Sequence, residues 1–240
     1  MKILIGSVFS GSGEPSLLKL QLSYLQQTTH NQFDHICYLT ENADISKYQQ
    51  TSTIIGHNHK KYLDPSESHL NGLLSTLKFM RKHDQYDLYL ILDSDAFPIY
   101  DKWDIKCLDI MLDYDIINCI RAENLDTFSH PCICLFKDPH KVNFKRTNNI
   151  NLLGQSTSDN QFVFDKCYKH WPLIRSNKVN LHPVISAIYG NLFYHHGCGS
   201  RKQIMRTDPY YNKLEMNNNM ASDLLSMLLD DPKSYISKLI

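Results

Sequence analysis

One stretch constrains this chain more than any other: Leu88-Tyr89-Leu90-Ile91-Leu92-Asp93-Ser94-Asp95-Ala96-Phe97-Pro98. Five apolar residues run unbroken into two carboxylates one residue apart. A continuous apolar run of this length predicts a strand buried on both faces. Buried charge is costly unless it is paired or bound to a cation. Asp93 and Asp95 at such a strand end therefore suit a divalent metal. Oxygen donors fit Mg²⁺ or Mn²⁺, ions that keep open positions for substrate phosphates. The other reading is local: aspartates that cap the next helix or bind backbone amides.

The flanking segments alternate. Lys2 to Phe9 reads as a first strand, and Leu18, Leu22 and Leu25 share one face of a helix. His35 to Leu39 and Ser52 to Ile55 are further strands, the first ending in Thr40-Glu41-Asn42. A helix from Ser66 to His83, with Leu70, Leu73, Leu74, Leu77 and Met80 at helical spacing, leads into the central strand. Ile105, Leu108 and Met111 mark another helix; Asp115 to Arg121 and Pro131 to Phe136 are strands. Alternation of this kind predicts an α/β layered sheet, whose ligands bind at the carboxyl ends of strands. Asp93 and Asp95 sit at one such end, Val8 to Ser12 and Thr40-Glu41 at others.

The second half is less regular. Residues 137–154 are rich in Asn, Lys and Arg and read as a loop. Ser158 or Asp159 then reads as the N-cap of a helix running to about His170. An apolar-aromatic run delivers Tyr194-His195-His196-Gly197, and Arg201 and Lys202 follow a glycine turn. Neighbours in an extended segment point to opposite sides, so only one of the two histidines faces the carboxylates. In the tail, Leu224, Leu225, Leu228 and Leu229 recur at helical spacing and Asp230-Asp231-Pro232 ends that helix. Packing back on the sheet is the first reading for this stripe, peripheral membrane or partner contact the second.

Composition excludes several classes. With 25 basic and 25 acidic residues among 240, nothing points to nucleic acid. The length suits one domain. Seven cysteines without Cys-x-x-Cys spacing fit reduced thiols in the cytoplasm. Cys132 and Cys134 are expected to share a strand face as small buried hydrophobes. Met1 to Ile5 is too short for a signal core, and no apolar run approaches the roughly 18 residues of a membrane span.

The Asp-x-Asp after an apolar strand, followed by Ala96-Phe97-Pro98, resembles the metal motif of nucleotide-sugar glycosyltransferases with the GT-A fold. His196, Gly199 and Lys202 match the His-x-x-Gly-x-x-Lys spacing of its glycogenin-like and lipopolysaccharide galactosyltransferase group. The resemblance runs from residue 1 to about 205. It implies a Rossmann-like, mixed but mostly parallel sheet flanked by helices in a single domain. Residues 1–100 would form the donor half and 100–205 the acceptor and metal half, with 206–240 a helical appendage. It implies transfer of a sugar from a nucleoside-diphosphate sugar, a UDP-sugar first, to a glycan or lipid-linked hydroxyl, with Mn²⁺ or Mg²⁺. Asp93, Asp95 and His196, with His195 as the alternative, are then the metal ligands. Val8, Ser10, Glu41, Ser94, Arg201 and Lys202 bind the nucleotide, and Asp159 is the acceptor-side carboxylate. A phosphatase of the haloacid dehalogenase type wants Thr or Val where Phe97 stands. A sugar-1-phosphate nucleotidyltransferase wants a cation in the first glycine loop, where Glu14 stands. A non-catalytic carbohydrate binder is the remaining alternative.

Overall fold

The computed structural model describes residues 1–10, 15–40, 46, 48, 53–58, 60, 64–121, 128–150, 156–177, 186–197 and 218–240. Its main sheet contains β1 (Lys2–Ser10), β2 (Gln32–Thr40), β3 (Thr53–Asn58), β4 (Leu88–Asp93), β6 (Ile116–Cys119), β7 (His130–Phe136) and β10 (His170–Leu173). The order across it is β10-β6-β7-β4-β1-β2-β3, with β7 antiparallel to its two neighbours and all other pairs parallel. This is the mixed, mostly parallel sheet that the alternation of strands and helices predicts.

Residue parity divides the core. Ile3, Ile5, Leu88, Leu90 and Leu92 pack against α1 (Pro15–Thr28) and α3 (Trp103–Ile110). Leu4, Val8, Tyr89 and Ile91 pack on the other side, against α2 (Pro65–Met80). Both faces of β4 are thus covered, which explains its unbroken apolar run. α2 lies close on β1 because Gly72 lacks a side chain: a Cβ there would lie 2.4 Å from Val8 Cγ1.

Two expectations fail together in the second half. The stretch read as a loop contains β8 (Val142–Ile150), and the stretch read as a helix headed by Asp159 is β9 (Ser156–Phe164). The two pair antiparallel, Val142 opposite Phe164 and Thr147 opposite Asp159. Val142, Phe144 and Phe162 are buried at alternate positions and cover Tyr89 and Phe136 beside α2. A period of two over so few apolar residues is a strand signal that the polar composition hid. Asp159 therefore caps no helix.

Cys132 and Cys134 do not share a face either. The pairing of β6 with β7 slips between Asn118 and Cys119, opposite Cys134 and His130. The bulge turns Cys132 into the α1/α3 layer while Cys134 stays in the α2 layer. Both are buried free thiols.

A small sheet, β11 (Ala187–Tyr189), β12 (Phe193–His195) and β5 (Ala96–Pro98), runs antiparallel throughout. Gly190 (φ 60°) and Asn191 (φ 56°) form the turn between β11 and β12, where a left-handed backbone favours Gly and Asn. The tail forms α4 (Asn218–Asp230) and α5 (Pro232–Ser237). Asp231 caps α5 by accepting from Ser234 N (3.0 Å), with Pro232 at its start. Leu225, Leu228, Tyr235, Ile236 and Leu239 are buried with Leu17, Phe97, Ile188 and Tyr194, so the stripe packs back on the molecule. No helix among the described residues is long and apolar enough to cross a membrane.

Candidate metal and donor site

β4 ends at Asp93, and the chain turns through Ser94 and Asp95 into β5. β5 pairs with β12, which sets His195 opposite Ala96, and His196 N donates to the Asp95 carbonyl (2.9 Å). The result is a compact cluster. His195 Nε2 lies 3.3 Å from Asp95 Oδ1 and 3.6 Å from Asp93 Oδ2. One donor atom from each of the three lies within 4.8 Å of the others.

The histidine beside the carboxylates is His195, not the His196 that the glycine and lysine spacing favoured. Strand parity is the cause. Tyr194 turns into the tail's core, and its hydroxyl pairs with His196 Nδ1 at 2.7 Å, so His196 belongs with that side. His196 is fully buried, and burial lowers its pKa to about 4. On the other side, burial opposes a charge on His195, but the Cys132 side chain and the Asp95 and Asp93 carboxylates outweigh it. They raise its pKa well above the ordinary histidine value.

Asp93 shares the parity of Tyr89 and Ile91, so its side chain faces α2. There His69 Nε2 lies 3.1 Å from Asp93 Oδ1. Asn160 Nδ2 donates to the Ser66 carbonyl (2.9 Å) and lies 3.3 Å from His69 Nδ1. An amide N–H at that distance leaves Nδ1 as acceptor and places the ring proton on Nε2, towards Asp93. Burial pushes the Asp93 carboxyl up, but His69 and His195 outweigh it and hold it well below the carboxylate range. Asp93 Oδ1 is buried, and apart from the His69 ring at 3.1 Å it has no well-aligned hydrogen bond among the described residues. An ionised carboxylate beside a second carboxylate and an imidazole fits a cation such as Mn²⁺ or Mg²⁺.

From the opposite layer, Gln21 of α1 reaches the backbone of the turn. Its Nε2 donates to the carbonyls of Asp93 (2.9 Å) and Ala96 (2.6 Å). Its Oε1 accepts from Ser7 Oγ (2.8 Å), which lies 3.1 Å from His35 Nε2.

A second polar group gathers where β6, β7 and β9 meet. Asp159 Oδ2 accepts from Arg121 Nη2 (2.7 Å), and His130 Nε2 lies 3.6 Å from Oδ1. Burial raises the Asp159 carboxyl, but His130 and Arg121 outweigh it, so it stays well below the usual range. Cys132 N donates to His130 Nδ1 (3.2 Å), which puts the His130 proton on Nε2, facing Asp159. Asp159 is linked to the carboxylate turn through its neighbour Asn160 and His69, on the same rim of the sheet.

Among the other expected binding residues, Ser94 lies between the two aspartates and is half-buried. Val8 stands beside Asp93 in register, with its side chain committed to the α2 core. Ser10 ends β1, and its side chain lies outside the described residues, as do Glu41, Gly199, Arg201 and Lys202. His69, Gln21, Asn160, Arg121 and His130 were not singled out by sequence. Only Gln21 carried a readable signal, a polar residue within the Leu17, Leu18, Leu22 and Leu25 stripe.

No family model matches the sequence, and no curated protein matches it. Solved structures do. A mannosyltransferase from Pyrobaculum calidifontis in complex with GDP-Man and Mn²⁺ is 9% identical over 55% of this chain and 44% of its own, with a TM-score of 0.38. S. aureus TarS 1–349 in complex with UDP-GlcNAc is 12% identical over 72% and 58%, with a TM-score of 0.39. A protein assigned as a nucleotide-diphospho-sugar transferase from Desulfovibrio desulfuricans G20 is 11% identical over 95% and 96%, with a TM-score of 0.43. The chain spans about half the length of the first two.

Proposed function

We propose that this chain is a metal-dependent glycosyltransferase that moves a sugar from a nucleoside-diphosphate sugar to a hydroxyl acceptor. The observation that carries the proposal is the Asp93, Asp95 and His195 cluster at the carboxyl end of the central strand, where an open α/β sheet binds its ligands. These three side chains would hold Mn²⁺ or Mg²⁺, which supplies charge neutralisation for a departing diphosphate. His69 fixes the orientation of Asp93, as outer-shell partners of metal ligands do. Ser94, Val8, Ser10 and Glu41 would contact the nucleotide, a UDP-sugar in the first instance, and Arg201 and Lys202 the diphosphate.

Asp159 is the acceptor-side carboxylate in this reading. Its low pKa makes it a weak base, since general-base efficiency peaks near the working pH. The geometry supports an electrostatic part: an ionised group that aims Arg121 and His130 at the rim. The acceptor is a glycan or a lipid-linked hydroxyl.

The test is hydrolysis of a panel of nucleotide sugars with Mn²⁺ present. At least one UDP-sugar should be cleaved, the activity should vanish with chelator, and Asp95→Ala should lose it while melting like the wild type. Full turnover by Asp95→Ala, or no cleavage of any nucleotide sugar, refutes the proposal.

A further inference from the structure

We infer that Gln21 is a positioning residue for the Asp93–Asp95 turn, setting the direction of both carboxylates through two backbone carbonyls. The inference rests on the metal reading of that turn. Gln21 is fully buried on the leucine-rich face of α1, where a leucine or methionine would fill the same space. Burying an amide there is unfavourable unless every polar atom is bonded. Here each is. Both side-chain N–H groups go to carbonyls that bracket the turn, those of Asp93 and Ala96. Carbonyl oxygens only accept, so the amide orientation is determined. Oε1 then faces the Ser7 hydroxyl, which donates to it. Ser7 Oγ in turn accepts from His35 Nε2, on the next strand. The neutral state that burial imposes on His35, whose pKa falls to about 3, agrees with this donor direction.

The clamp joins three elements. β1 and β2 hold the far end through Ser7 and His35, α1 carries the amide, and the near end grips the peptide units on either side of Ser94-Asp95. The Asp93 side chain is already turned towards His69 on the other layer. With its carbonyl pinned from the α1 layer, the residue is held from both faces of the sheet. The Ala96 carbonyl, pinned at the start of β5, fixes the strand against which His195 is registered.

Two variants test this: Gln21→Met, which keeps length and volume but loses all hydrogen bonding, and Ser7→Ala, which removes the donor to Oε1 together with the acceptor of His35 Nε2. Mn²⁺ titration of the folded proteins should show about 10–100-fold weaker binding for Gln21→Met, the usual effect of losing an outer-shell partner. A smaller loss of the same sign is expected for Ser7→Ala. Hydrogen exchange without metal should quicken in residues 93–98 and 193–196 and stay unchanged in the rest of the sheet. Should Gln21→Met fail to fold, Ser7→Ala decides by the same readouts. Wild-type exchange at the turn in a folded variant overturns the inference, even if the melting temperature drops, because the residue is then only a packing element. A wild-type protein that binds no Mn²⁺ refutes the metal reading, while exchange at residues 93–98 still decides whether Gln21 holds the turn.

Discussion

His195 and His196 differ by one position and by everything around them. One stands beside two carboxylates. The other is buried with Tyr194 and carries an Nε2 that has no hydrogen bond among the described residues. A ligand must offer its lone pair towards the cation. His195→Ala should therefore weaken Mn²⁺ binding by at least tenfold, and His196→Ala should act mainly on stability. Metal titration of both variants, alongside their melting curves, checks this. A larger loss of metal affinity from His196→Ala would reverse the assignment. Nothing in Tyr194-His195-His196 tells which histidine faces inward, because parity is set by where the strand pairs. The register of β12 on β5 is a contact between segments about a hundred residues apart.

At the scale of elements, helices and strands with dense apolar patterns were legible. The predicted helix from Ser66 to His83 is Pro65–Met80, and the strand from His35 to Leu39 is Gln32–Thr40. The β8–β9 hairpin was not legible. One row carries Asn143, Lys145 and Thr147 opposite Val163, Gln161 and Asp159, and in the row that faces α2 Val142, Phe144, Phe162 and Phe164 give way to Arg146 and Asn160. The apolar surface that makes that row favourable, Tyr89 and Phe136, lies elsewhere in the chain. The tail was legible as a helix, but its partners were not. Leu228 is fully buried where α4 meets α1, β5 and β12. Leu228→Ala should cost about 2–5 kcal/mol of stability, the range for truncating a buried leucine. Urea denaturation measures it; a loss below 1 kcal/mol would mean that the tail contributes little to the fold.

For the molecule as a whole, two buried neutral histidines on different elements set an acid limit. The His35 pKa is lowered to about 3 and that of His196 to about 4, both by burial, against an ordinary value near 6.5 in the unfolded chain. Between those values the unfolded state binds more protons, so stability rises with pH. Stability that is fully present above about pH 6.5 should fall as pH drops through 6 and 5. His35→Gln should flatten that slope. Urea midpoints at several pH values test it, and a variant slope equal to that of the wild type would assign the acid sensitivity to other groups.

The sequence by itself determined the layered α/β order, the doubly buried central strand and the two carboxylates at its end. Those are local properties: an unbroken apolar run, helical spacing, and charges too costly to leave buried without a partner. Tertiary structure decided which histidine joins them, that Asp159 belongs to a strand and faces Arg121, and that Gln21 and His69 hold the turn from opposite layers. Each of these depends on strand register or on the packing of a helix against the sheet, α1 for Gln21 and α2, close to β1 at Gly72, for His69. Register and layer spacing are set by packing between distant segments, and no window of the chain contains that information.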